Sequence, residues 1–336
     1  MTEGRKAAVC GKPIAHSLSP VVHTAGYAAA GLFGWTYSAI ECAEAELPGL
    51  VAGLGPEWAG LSLTMPLKEV ALAVAGSASP VAIAVGAANT LVHRPDGSWY
   101  ADNTDVPGMT RVLSDAGLGL VPSQSAVGGA GLGPVPPEAV VGGAGLGPVP
   151  SESVVGGAGL RAAPSVSVLG GGGTARAALA AAARFGSTEV TVVTRRPAAV
   201  DELAPAAAAL GLRLTGLPWA QAPDAFRADA VISTVPKGAA DPLATAVTWR
   251  RGTVLFDAIY DPWPTPLAAA AAAHGIRVAS GLDLLLAQAL SQFEQFTGVI
   301  PAPEAAMRAA LTAAGWCPAW TCCWLRRCPS SSSSPA

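Results

Sequence analysis

The chain carries little charge, few aromatic rings, few histidines and no long apolar run. Only 13% of its 336 residues are Asp, Glu, Lys or Arg, against ~25% in an ordinary globular chain. Because 51% are hydrophobic, charge repulsion does not keep most of it unfolded. Twenty basic residues against 23 acidic ones leave a net charge of −3, so there is no basic field for collecting a nucleic acid. No uninterrupted apolar stretch approaches the ~20 residues of a membrane helix, and Met1 to Lys6 lead into only a short one. A soluble, cytoplasmic protein is expected. The 4 histidines lack ligand spacing, which argues against a metal. Of 6 cysteines, Cys10 and Cys42 stand alone, while Cys317, Cys322, Cys323 and Cys328 crowd into the last 20 residues. That is neither a disulfide framework nor the paired C-x-x-C of a zinc module. The length fits two domains.

What is present is an alternation. Short β-branched or aromatic runs such as Ala7 to Cys10 and Trp35 to Ile40 flank a segment of helical period, Val21 to Ala30, the rhythm of an α/β domain. Asn89 to His93 and Trp99 to Asp102 predict a hairpin around Pro95-Asp96-Gly97, and a helix follows from Asp105 to Leu113. Strands at Ser165 to Leu169, Glu189 to Thr194, Ala228 to Ser233 and Val254 to Ile259 alternate with helices ending near Phe185 and Leu210. This pattern implies a parallel, doubly wound sheet. Helical patterns close the series at Leu282 to Phe296 and Pro303 to Ala314. Between the two regions, Val127-Gly-Gly-Ala-Gly-Leu132 recurs twice with a period of 14 residues. A unit so short and so rich in Gly and Pro cannot bury a face of its own, so residues 118–164 are expected to be a flexible insertion. The tail from 315, with its Trp, Cys and Ser, is expected to be disordered.

Ser167-Val168-Leu169 runs into Gly170, Gly171, Gly172 and Gly173, then Thr174 and an Ala-rich helix. A strand, a glycine loop and a helix N-terminus together form a cradle for a pyrophosphate. The next strand ends at Thr194-Arg195-Arg196, 24 residues after Gly170, where an NAD enzyme needs an acid for the ribose hydroxyl. Two guanidiniums there suit a 2′-phosphate instead, so NADP is the expected cofactor, with these glycines, Thr174, Thr194, Arg195 and Arg196 as its binding residues.

Four polar signatures interrupt the apolar N-terminal region: Pro13-Ile14-Ala15-His16-Ser17-Leu18-Ser19-Pro20, Ser62-Leu63-Thr64-Met65-Pro66-Leu67-Lys68, Asn89-Thr90, and Asn103-Thr104-Asp105. Taken singly, Ser19 before Pro20 reads as a helix cap, Lys68 as a solvated lysine at the start of the helix after a strand, and Asp105 as another cap. Taken in order, with the glycine loop, Asp257-Ala258-Ile259-Tyr260 and Gly281-Leu282-Asp283-Leu284-Leu285-Leu286-Ala287-Gln288-Ala289, they resemble the shikimate dehydrogenase family over residues 6 to 314. The resemblance implies a substrate-binding catalytic domain from residues 1–105 and 281–314, joined through a helix at 106–117 to an NADP-binding Rossmann domain at 165–280. It implies a cleft between them in which Ser17, Ser19, Thr64, Asn89, Asp105, Tyr260 and Gln288 bind shikimate. Lys68 and Asp105 would be the catalytic pair of an NADP-dependent interconversion of 3-dehydroshikimate and shikimate. A ketone that gains a hydride needs a proton at its oxygen, and an ammonium steadied by a carboxylate supplies one. Ser62 stands where many family members have Asn. His16 and His23 are read as structural. No nucleic acid, membrane or metal is implied, and a monomer or homodimer is expected. Two rivals remain open here: a relative acting on quinate or another cyclic hydroxy acid, and a nucleotide-binding homologue without turnover.

Overall fold

The computed structural model describes residues 4–119 and 162–315. The 14-residue repeats and the Cys/Trp/Ser tail, with the readings made of them, lie outside those residues.

Two six-stranded sheets organise the molecule. The first holds β1 (Lys6–Gly11), β2 (Thr36–Glu41), β3 (Trp58–Leu63), β4 (Ser77–Ala78), β5 (Thr90–His93) and β6 (Trp99–Asp102), in the order β2-β1-β3-β5-β6-β4. β1 lies parallel between β2 and β3, and Ala7 to Gly11 are buried, as a central strand requires. β5 and β6 pair antiparallel around a turn in which Gly97 takes φ 81°, so the Asp-Gly pair acts as its chemistry dictates. The second sheet holds β7 (Val166–Leu169), β8 (Glu189–Thr194), β9 (Arg213–Pro218), β10 (Ala230–Ser233), β11 (Val254–Asp257) and β12 (Arg277–Ser280). Its order is β12-β11-β10-β7-β8-β9, and every pair is parallel. The order reverses between β7 and β10. In an open parallel sheet, ligands bind beyond the strand ends at that point, where the glycine loop leaves β7.

The helices of the first region are α1 (Ser19–Ala29), α2 (Leu47–Ala52), α3 (Ala71–Val74), α4 (Pro80–Val85) and α5 (Asp105–Asp115). Those of the second are α6 (Gly173–Arg184), α7 (Ala198–Ala209), α8 (Leu243–Ala246) and α9 (Pro266–Ala273), followed by α10 (Gly281–Thr297) and α11 (Glu304–Ala313). α10 returns the chain to the first sheet. Its start is fixed by a capping box between Ser280 and Asp283, and its end by Gly298 in the left-handed region. Leu282, Leu286, Leu290 and Phe293 on α10 pack with Val9, Val22, Tyr27 and Met307, so α10 joins β1, α1 and α11 in one core. The seam between the sheets is lined with small side chains. Ala177 and Ala180 of α6 pack against Val85, Ala87 and Val106.

Three expectations change. Lys68 was expected in the helix after β3, but it lies in successive turns that precede α3. Met65-Pro66 interrupts the chain there, and Leu67 N–H closes a turn onto the Thr64 carbonyl at 2.8 Å. Neither Ser19 nor Asp105 caps a helix. Both are first helical residues, and the cap positions before them, Leu18 and Thr104, make no side-chain capping bond. β9 and β12 carry no clear period in the sequence, because β9 is a half-exposed edge strand and β12 has only 4 residues. Among the described residues no helix is long and apolar enough to cross a membrane.

Gly60 on β3 leaves room for the ring of Phe296. A Cβ there would collide with that ring and with the Leu91 carbonyl oxygen. Gly60→Ala is therefore expected to destabilise the protein by about 1–3 kcal/mol, read as a lower urea midpoint with an unchanged slope; an unchanged midpoint would contradict this packing.

Candidate active site

At the seam a cavity of about 300 Å³ opens among Ser17, Ser19, Thr64, Lys68, Asn89, Asp105, Thr174, Tyr260 and Gln288. They arrive from elements spread along the chain. Ser17 comes from the β1–α1 connection and Ser19 from the first position of α1, Thr64 and Lys68 from the turns after β3, and Asn89 from just before β5. Asp105 opens α5, Tyr260 follows β11, and Gln288 lies mid-way along α10.

Lys68 Nζ donates to Asp105 Oδ2 at 2.6 Å, with the two side chains 15% and 6% exposed. Water therefore screens this pair far less than a surface one. The other carboxylate oxygen of Asp105 accepts from Asn89 Nδ2 at 2.9 Å. Asn89 is fixed in turn, because its Oδ1 accepts from Thr104 N–H at 2.8 Å, from Thr104 Oγ1 at 3.1 Å and from Thr90 Oγ1 at 2.9 Å. Its amide also donates to Gln288 Oε1 at 3.4 Å. The site thus contains one oriented cation beside one carboxylate, within a ring of neutral hydroxyls and amides. Such a ring suits a small polar acid rich in hydroxyls, since neutral donors and acceptors at fixed places reject ligands that leave them unpaired.

Tyr260 reaches the cavity on a loop anchored by Asp257. That buried carboxylate accepts from Thr265 Oγ1 at 2.7 Å and from Ile259 N–H at 3.2 Å, and burial pushes its pKa above the ordinary carboxylate range. Gly281 permits the loop's approach, since a Cβ there would strike the Ala258 carbonyl oxygen. His16, read as structural from the sequence, lines the same cavity, as do Ile14, Ser62 and Leu285.

The glycine loop fits a dinucleotide on geometric grounds. Gly170 takes φ 113°, and a Cβ would lie 2.5 Å from Thr234 Oγ1. Gly171 approaches Ala199, whereas Gly172 has nothing within 4 Å and leaves the loop open to a ligand. Gly172 also occupies the cap position of α6 without any side-chain cap, so no capping side chain competes for the first N–H groups of that helix, as an anion site requires. The two arginines expected at the 2′-phosphate differ. Arg196 is paired with Glu202 through both carboxylate oxygens, at 3.1 and 3.0 Å, whereas Arg195 has no acidic partner among the described residues. Thr194 holds the turn between them, its Oγ1 donating to the Arg196 carbonyl at 2.9 Å. Thr174, expected at the cofactor, faces the substrate cavity and accepts from Lys68 Nζ at 3.3 Å.

Comparison with known proteins agrees with this arrangement. Family models match at residues 9–91, the shikimate dehydrogenase substrate binding domain, and at 281–312, the shikimate 5′-dehydrogenase C-terminal domain. The shikimate dehydrogenase (NADP(+)) of Caulobacter vibrioides is 36% identical over 306 residues, covering 89% of this chain and 92% of the relative. The chain belongs to the shikimate dehydrogenase family. The crystal structure of Mycobacterium tuberculosis shikimate dehydrogenase superimposes with a TM-score of 0.71 at 41% identity, covering 92% of this chain and 99% of that one. The Thermus thermophilus shikimate 5-dehydrogenase, solved in complex with NADP(H) and shikimate, gives a TM-score of 0.67 at 29% identity, covering 91% and 99%.

Within this shikimate dehydrogenase fold, the Ser62 departure has a structural counterpart. Ser62 Oγ accepts from Tyr37 Oη at 2.6 Å and donates to Gln292 Oε1 at 2.7 Å. Gln292 Nε2 then donates to the Asn89 carbonyl at 3.1 Å and to Thr90 Oγ1 at 2.9 Å. Tyr37 stacks on the buried ring of His23 at 4.1 Å, and burial drives the pKa of His23 from 6.5 down to about 3. The unfolded chain therefore takes up a proton near pH 6.5 that the native protein refuses until about pH 3. Stability should accordingly fall as pH drops through that window, by at most ~1.4 kcal/mol per pH unit from this residue. His23→Phe, which keeps a ring against Tyr37, should show a shallower decline of the urea midpoint between pH 6.5 and about 5; equal slopes would refute the assignment.

Proposed function

We propose that this protein is an NADP-dependent oxidoreductase that interconverts 3-dehydroshikimate and shikimate, a step toward chorismate and the aromatic amino acids. The observation that carries the reading is the Lys68–Asp105 pair at 2.6 Å, set in a ring of neutral polar groups beside a glycine loop with an open face. Its support is the 36% identity to a shikimate dehydrogenase (NADP(+)) over most of both chains.

When bound, NADPH would supply the hydride that reduces the ketone carbon, and NADP+ would accept it in the reverse direction. Lys68 Nζ stabilises the alkoxide that develops on the ketone oxygen and delivers a proton to it; in oxidation it takes the hydroxyl proton. Asp105 orients the ammonium, and Asn89 orients Asp105. Ser17, Ser19, Thr64, Asn89, Tyr260 and Gln288 bind the carboxylate and hydroxyls. Gly170 to Gly173 and the start of α6 would hold the pyrophosphate, while Arg195, on the turn that Thr194 holds, would meet the 2′-phosphate. Arg196 contributes there once it is shared with Glu202. The division of labour follows the two sheets, with 1–105 and 281–314 binding substrate and 165–280 binding cofactor. A cytoplasmic enzyme acting as a monomer or homodimer completes the reading, and the free thiols of Cys10 and Cys42 accord with a reducing compartment.

The test is shikimate-dependent reduction of NADP+ by the purified protein, with quinate and NAD+ as alternative reactants. Lys68→Ala should lower kcat by about 10²- to 10⁴-fold while shikimate still binds; full turnover in this variant would overturn the assignment. Arg195→Ala should raise KM for NADP+ by about 10- to 100-fold, the loss of one charge-assisted contact, and leave KM for NAD+ unchanged. Equal effects on both would place Arg195 away from the 2′-phosphate.

A further inference from the structure

Lys68 and Asp105 both lie beside the first sheet, whereas the glycine loop that would carry the hydride donor leaves the second. The proton donor therefore needs a link across the seam. Lys68 has three N–H groups, of which one is held by Asp105 Oδ2 at 2.6 Å and another by Thr174 Oγ1 at 3.3 Å. Thr174 is the second residue of α6, directly after the glycine loop.

The first turn of α6 is seated firmly against the Lys68 turn. Gly173 lies under the lysine stem, where a Cβ would be 3.1 Å from Lys68 Cβ and 3.3 Å from Cδ. Arg176, one turn of helix later, has a side chain only 12% exposed and reaches back across the seam. Its Nη1 donates to the Val85 carbonyl at the end of α4, at 3.3 Å, and its Nη2 lies 3.6 Å from the carboxylate of Glu69, the neighbour of Lys68. The same Nη2 donates to the Glu202 carbonyl on α7 at 3.0 Å, so Arg176 ties the two halves together next to the catalytic lysine.

We infer that Thr174 is a positioning residue for Lys68: with the turn anchored by Arg176, its hydroxyl fixes the ammonium relative to the cofactor-bearing helix and leaves one N–H for the substrate oxygen. The inference rests on the reading of Lys68 as the proton donor. It assigns Thr174 to the chemical step and not to cofactor affinity.

The experiment compares Thr174→Val, which keeps the shape and removes the hydroxyl, with Thr174→Ser, which keeps the hydroxyl. Readouts are kcat, both KM values, the melting temperature and the Kd of NADP+ from calorimetry. Thr174→Val should lose about tenfold in kcat, the scale of one hydrogen bond to a charged group, with Kd for NADP+ and melting temperature unchanged. Thr174→Ser should restore most of the rate, and in a Lys68→Ala background Thr174→Val should cost nothing further, because the two act as one unit. A weaker Kd for NADP+ with kcat preserved would make Thr174 a cofactor ligand and overturn the inference. So would an unchanged kcat, or an equal loss in the Lys68→Ala background. If Lys68→Ala alone retained full turnover, the proton-donor reading itself would fall, an outcome distinct from a silent Thr174→Val.

Discussion

The structure turns on one nearly buried ion pair, Lys68 with Asp105. A cation in so dry a place is costly unless its partner is close and the partner's remaining oxygen is also satisfied. Asp105 meets both conditions, giving one oxygen to Lys68 and the other to Asn89. The requirement then propagates outward. Asn89 has to be immobile, so Thr90 and Thr104 occupy its carbonyl oxygen, and the β5–β6 hairpin that carries Asn89, Thr90 and Asp102 sets the position where α5 begins.

A second layer of polar side chains extends this order into the core of the first sheet. Tyr37, Ser62, Gln292, Thr90 and Asn89 form one connected chain of hydrogen bonds from β2 to the site. A buried network of this kind rigidifies only when every member is partnered. Ser62 is short, and the Tyr37 hydroxyl and the Gln292 amide both reach in to meet it. The helix that supplies Gln288 and Gln292 is therefore packed with the first sheet, although it follows the second in the chain.

The Ala-rich composition has a comparable physical meaning. Small side chains on α6 let it approach α4 and α5 closely, which brings the first turn after the glycine loop within reach of Lys68. Larger residues at Ala177 or Ala180 would push α6 away from α4 and α5 and the glycine loop away from Lys68. A loop of glycines, a seam of alanines and a handful of polar side chains thus meet at one place, where α6 begins beside Lys68.

The sequence by itself determined the α/β class, the parallel doubly wound sheet and the glycine loop, because hydrophobic period and turn chemistry are local properties. It also marked the polar residues of the site, through motifs whose order in the chain is specific. Tertiary structure alone decided what those residues touch. Asn89 meets Gln288 across 199 positions and Ser62 meets Gln292 across 230, and no local pattern encodes such pairings. The same holds for the contact between Lys68 and Thr174 across 106 positions and for His16 at the cavity. Each depends on how elements distant in the chain pack together, and packing is settled by the summed fit of side chains far apart in sequence.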